Sequence, residues 1–148
     1  MKTMNQEKAK WILATLDFAP MDRIRLMKSL FLTWYRTGKS IPDYFQFEPY
    51  LYGPCSFEVY RILDDLEREG LIVRLPNPVP NWSTYYLTEK GKQAAREAIS
   101  QIEPALRDWL KESAGEVTRL SFYQLLKRVY EEAPEFAINS VVKEVLRS

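Results

Sequence analysis

Apolar and polar positions alternate along this chain in blocks that change period, and each change marks a boundary. From Ser56 to Gly70, Val59, Ile62, Leu63 and Leu66 recur at offsets of three and four, which puts one apolar stripe on a helix. Ser56 is expected to cap that helix through its hydroxyl oxygen, and Gly70 to end it in a left-handed turn. Leu71, Ile72 and Val73 then form a short β-favouring run, and Tyr85, Tyr86 and Leu87 form a second after a proline-rich excursion. Thr88 opens the next helix. The pattern therefore predicts helix, two-stranded hairpin and helix in direct succession.

The flanks read as mostly helical. Asn5 to Leu16 places Ala9, Ile12, Leu13 and Leu16 on one side, and Pro20 stops it. Met21 to about Tyr35 is apolar on most faces, through Ile24, Leu26, Met27, Leu30, Phe31 and Trp34, as expected of a central buried helix. Asp43 to Tyr52 is an aromatic-rich link of extended or irregular character. From Thr88 the apolar phase runs through Ala95, Ile99, Ile102, Leu106, Trp109 and Leu110, predicting one long helix kinked at Pro104. Gly115 marks a boundary, and Ser121 with Gln124 has the spacing of a capping box. Pro134 ends that helix, and Ile138, Val141, Val142, Val145 and Leu146 predict a terminal one. The expected fold is mainly α with a small β-hairpin: a winged helix-turn-helix core at about 5–91 with a helical C-terminal extension at about 92–148, in a single domain.

Composition narrows the chemistry. With no histidine and one cysteine among 148 residues, neither Ser-His or Cys-His nucleophilic systems nor histidine- or thiolate-based zinc sites can be built. No glycine-rich phosphate loop or spaced carboxylate pair stands out, so a non-enzyme without cofactor or metal is expected. Cys55 beside a helix start is open to reading as an activated thiolate, but reads more simply as a small half-buried residue in a tight turn. No stretch approaches the length of a membrane span, the N-terminal segment makes a poor signal peptide, and a lone cysteine suits a reducing compartment. These features point to a soluble cytoplasmic protein.

Charge bears on partners. The net charge is only +1, so there is no general attraction to nucleic acid. In a winged helix the helix before the wing commonly enters the major groove. Here that helix sets Arg61 and Arg68 against Glu58, Asp64, Asp65, Glu67 and Glu69, with Arg61–Asp65 and Asp64–Arg68 at pairing distance along the helix. Between Arg74 and Lys90 the wing has no lysine or arginine, and its prolines and Trp82 suit a protein contact, unless Trp82 folds back onto the core. Phe57, Tyr60, Arg61 and Trp82 are accordingly the candidate partner-binding residues. Arg23, Arg25, Lys28, Arg36 and Lys39 form a candidate basic patch around the second helix. The Ala95 to Trp109 spacing suits a two-helix seam, either with a second copy in a homodimer or with the chain's own helices.

The segments RIRLMKSLFL, FEPYLYGPCSFEVYRILDDLEREGLI, YYLTEKG and SFYQLLKRVYEEAPEFAINS together resemble the YwgA-like family, distantly similar to the SocA-like (Panacea) antitoxins. Tyr52, Gly53 and Pro54 followed by Ser56 are the most specific part of that likeness. The helix-wing-helix also resembles MarR- and PadR-type regulators. The first resemblance implies a compact helical domain with a winged-helix core; Panacea members bind a toxin or present it to a protease. The second implies a dimeric DNA-binding transcriptional regulator. The residues themselves assign Tyr52, Gly53, Pro54 and Ser56 a local task, a sharp turn that positions the following helix. A regulatory module acting through protein-protein contacts is the leading expectation, and the DNA-binding regulator its alternative.

Overall fold

The computed structural model describes residues 4–78 and 82–142. The chain is mainly helical, with six α-helices and two small antiparallel sheets among the described residues. Helix α1 (Met4–Phe18) stops ahead of Pro20, because the residue before a proline is pushed out of the α region. Met21–Asp22 is not the first turn of the second helix, as the apolar pattern predicts, but a short strand, β1. Asp22 then caps α2 (Arg23–Arg36), its carboxylate accepting from the Arg25 backbone N–H at 2.9 Å.

Helix α2 is the axis of the core. Leu26, Met27, Leu30, Phe31 and Leu32 are all buried, and with them Lys28, Ser29 and Thr33. The link after it is more ordered than its sequence implies. Strands β2 (Glu48–Tyr50) and β3 (Gly53–Cys55) pair antiparallel around the two-residue tip Leu51–Tyr52.

Helix α3 (Phe57–Arg68) buries Val59, Ile62, Leu63 and Leu66, the expected stripe. Its end is a Schellman motif: Gly70 has φ +76°, its N–H reaches Glu67 O at 3.1 Å, and Leu71 N–H reaches Leu66 O at 2.9 Å. Leu71 is consumed by that motif, so β4 begins one residue late and runs Ile72–Pro76. It pairs antiparallel with β5 (Ser83–Leu87), and β1 adds to the other edge of β5 through Met21 opposite Tyr85 and Asp22 opposite Thr84.

Thr88 caps α4 (Glu89–Ser100) through its side chain, as predicted. The single kinked helix does not form. Residues 101–103 leave the helical path, and Pro104 starts a new helix, α5 (Pro104–Arg119), in the first-turn position where a missing N–H costs nothing. Gly115 lies inside α5 rather than at a boundary. Helix α6 (Phe122–Glu132) opens with both halves of the Ser121–Gln124 capping box. Pro134–Phe136 makes one 3₁₀ turn. Ile138, Val141 and Val142 form no helix; the Val141 N–H instead donates to Leu51 O at 2.9 Å. Val145 and Leu146 lie outside the described residues.

Packing around α4 sets a strict size limit. A β-carbon on Gly91 would fall 1.8 Å from Leu71 O, the carbonyl that also accepts from the Thr88 N–H at 3.0 Å. Gly115, by contrast, is a helical glycine whose added β-carbon would meet only Arg119 Nη1, at 3.5 Å. Gly91→Ala is therefore expected to lower unfolding stability by about 2 kcal/mol or more, and Gly115→Ala to raise it by about 0.5–1 kcal/mol. Urea unfolding of the two variants beside the parent chain checks both signs.

Candidate interaction surface

The turn before α3 is held from three directions. Leu51 and Tyr52 keep negative φ, so the left-handed step falls on Gly53 at φ +93°. Gly53 lies on the ring of Tyr130, where an added β-carbon would sit 2.8 Å from Cε1, and the Tyr130 hydroxyl is hydrogen-bonded to Ser140. Below the strand, the Pro54 carbonyl accepts from Lys28 Nζ at 3.1 Å. From the side, Asn139 Nδ2 reaches Pro49 O at 3.3 Å, next to the Val141–Leu51 bond.

Ser56 does not act as predicted. It occupies the N-cap position with extended φ and ψ, but its hydroxyl makes no capping bond. The side chain is turned inward, 1% exposed and without a partner, while its N–H meets Met27 Sδ at 3.3 Å. Interior packing has overridden the local cap.

The expected basic patch is not a patch. Three of its five cations, Arg25, Lys28 and Arg36, are spent on ties between elements. Arg25 pairs with Asp22 and donates to Val117 O and Leu120 O at 3.2 and 2.9 Å. Arg36 grips Glu132 at 2.8 and 2.9 Å and Glu116 at 2.6 Å, and Arg128 closes on the same Glu116. Hydrogen bonding to Arg36 holds the Glu116 carboxyl below its ordinary range. Lys39 lies 4.0 Å from Glu135 and over the rings of Tyr35 and Trp34. Arg23 is exposed but sits 4.7 Å from the centre of the Tyr60 ring. Lys28 is buried, and desolvation lowers its pKa from 10.5 to about 8, with the nearby Cys55 thiol acting in the other direction.

The four candidate partner-binding residues do not form one cluster. Phe57, exposed at α3's first turn, packs its ring against Tyr50 and Tyr60 at 5.2 and 6.1 Å. Tyr60 is half-buried, its hydroxyl 3.7 Å from the Cys55 thiol. Cys55 itself is buried, and burial pushes its thiol up rather than toward thiolate. Arg61 is exposed and makes no ion pair among the described residues; Arg68 pairs with Asp65, not with Asp64. Trp82 is half-buried and leans on Phe122 of α6 at 5.1 Å, on the far side of the hairpin tip.

No family model and no curated protein matches this chain.

Between the two candidate groups lies a surface that sequence reasoning missed. Tyr50, Leu51 and Tyr52 are each more than 40% exposed, and around them stand Tyr123, Ile138 and Val141 at 63, 60 and 57%. Ring contacts run from Phe57 to Tyr50, and from Tyr52 through Phe122 to Tyr123 and Trp82. A readable signal was present: leucine and tyrosine occupy the two tip positions of a tight turn, where polar residues are the rule. The Ala95 to Trp109 seam, in contrast, is two helices. Ala95 and Ala98 are buried, and α4 packs against α1 of the same chain. Among the described residues no group of three acidic or thiol side chains could hold a metal ion, and no helix is long and apolar enough to cross a membrane.

Two outcomes follow from these contacts. Ser56→Ala should change stability by less than about 0.5 kcal/mol or raise it, whereas a capping serine would cost about 1 kcal/mol on removal; thermal unfolding decides between them. For Lys28 the sign is fixed by linkage. Its folded pKa lies below its unfolded one, so between pH 8 and 10.5 the unfolded chain binds more protons and stability rises with pH. Relative to Lys28→Met, the parent chain should gain on the order of 3 kcal/mol over that window. Parallel pH profiles for the two proteins would mean that burial does not lower the Lys28 pKa.

Proposed function

We propose that this chain is a non-catalytic regulatory module, with a winged-helix core, that works by binding another protein through the Tyr50–Tyr52 hairpin tip. The single observation that carries the reading is the set of large exposed apolar side chains joined to that tip by ring contacts or a backbone bond: Tyr50, Leu51, Tyr52, Phe57, Tyr123 and Val141. Scattered surface hydrophobics need no explanation, but clustered ones on a rigid base mark interaction sites. The base here is rigid because Gly53, Pro54 and Leu51 are each tied to a different part of the core.

The order helix α3, hairpin β4–β5, helix α4 supports the winged-helix description. The resemblance of Tyr52, Gly53, Pro54 and Ser56 to YwgA-like and SocA-like chains favours an antitoxin- or adaptor-like role, because it puts the exposed tip inside the most specific part of that likeness. The MarR/PadR-type DNA regulator has less behind it. The acids of α3 outnumber its two arginines, Arg61 and Arg68, and Arg25, Lys28 and Arg36 of the second helix are committed to internal partners. DNA binding also demands several free phosphate contacts and a steep loss of affinity with salt.

The test is affinity capture from native lysate, quantified for the parent chain, Leu51→Glu and Arg68→Glu, with circular dichroism confirming each fold. One protein recovered in stoichiometric amount is expected with the parent and with Arg68→Glu, and about thirtyfold less of it with Leu51→Glu, as for an interface hot spot. Equal recovery by Leu51→Glu would remove the tip from the interface. Retarded genomic fragments in a gel shift at about 50 mM salt would favour the DNA reading instead.

A further inference from the structure

A concavity of about 550 Å³ lies between the N-terminus of α2, the β4–β5 hairpin and the start of α6. Its volume falls within the range of small-molecule sites. Three features of its lining converge. Trp82, Phe122 and Tyr52 bring aromatic rings to it, with Phe122 in contact with both of the others. Arg23 and Arg74 bring two guanidinium groups from opposite sides. Tyr85 is 2% exposed yet lines the cleft, and its hydroxyl has no hydrogen-bond partner among the described residues.

The two arginines and the phenol belong together. Burial raises the Tyr85 pKa; the positive charges of Arg74 and Arg23 pull against that rise, and the carboxylates of Glu67 and Asp64 add to it. Neither arginine is locked in place. Arg74 touches Glu67 at 3.5 Å with both side chains partly exposed, and Arg23 rests on the Tyr60 ring without a carboxylate partner among the described residues. Asp22, the acid in the lining, is already neutralised by Arg25.

We infer that this cleft binds a nucleoside monophosphate, its base against Trp82 and Phe122 and its phosphate on Arg23, Arg74 and the Tyr85 hydroxyl. Aromatic faces accept any base by stacking. Two guanidinium groups and one hydroxyl donor suit a phosphate, which presents three terminal oxygens, better than a carboxylate with two. A single small ring would leave most of the cleft unfilled. The inference does not rest on the protein-contact reading: Tyr52 and Tyr123 belong to both surfaces, but Leu51, Phe57 and Val141 lie outside the cleft.

Isothermal titration of the full chain with AMP, GMP, CMP and UMP tests it, with adenosine and inorganic phosphate alone as controls. At least one mononucleotide should bind one-to-one with Kd between about 10 μM and 1 mM. The matching nucleoside and free phosphate should each bind at least about tenfold more weakly. Arg74→Gln and Trp82→Leu should each weaken binding about tenfold or more, and Arg61→Gln should leave it unchanged. Tyr85→Phe, which removes one oxygen and keeps the packing, serves if Trp82→Leu fails to fold, and should weaken binding several-fold. Absence of saturation by every mononucleotide up to about 5 mM would overturn the assignment. So would affinity that neither Arg74→Gln nor Tyr85→Phe alters.

Discussion

A helix buried on every side has no solvent to take its polar groups, and that constraint on α2 shapes the rest of the molecule. Lys28, Ser29 and Thr33 are buried with its apolar residues. Arg25 and Arg36 reach out from its two ends into neighbours that must answer them. Each answer positions an element: the Pro54 carbonyl ties β3 to α2, the carbonyls at Val117 and Leu120 fix the end of α5, and Glu116 with Glu132 draws α5 and α6 together. Burying charge is unfavourable unless it is paired and hydrogen-bonded, so these contacts specify geometry more than they add stability. Where a group on α2 is left unmatched, as with the Ser29 hydroxyl, the apolar surroundings bear the cost.

What could be read from the chain was what local chemistry decides. The α3 stripe, the Gly70 stop, the Thr88 cap and the Ser121–Gln124 box depend on residues within one or two turns of each other, and each stands where its pattern puts it. What could not be read depends on partners far along the chain. Met21 and Asp22 have the composition of a helix start, but β5, more than 60 residues on, offers an unpaired edge and turns them into strand. Ser56 has the right side chain for a cap and loses the role to packing against Met27. Pro104 marks the lesson most sharply: apolar phase continued across it, while the missing N–H favoured a fresh start over a kink.

The candidate site followed the same division. Phe57 and Arg61 are exposed as their helix positions imply, and Trp82 proved to rest partly on Phe122, a neighbour no local window could supply. The basic patch failed as a prediction because charge was counted along the sequence, whereas the carboxylate partners of Arg36 and Lys39 come from 80 to 96 residues downstream. Leu51, Tyr123 and Val141 meet on one face only through tertiary contacts, so none had reason to stand out by itself.

The bonds that join Leu51 to Val141 and Pro49 to Asn139 have a temporal consequence. During synthesis the hairpin tip leaves the ribosome some 90 residues before the segment that buttresses it. A nascent chain that has formed α3 and its hairpin therefore still lacks Tyr123, Ile138 and Val141, and cannot display the finished contour. Under the proposed protein contact, recognition of that contour waits until Val141 has been made and folded back onto Leu51.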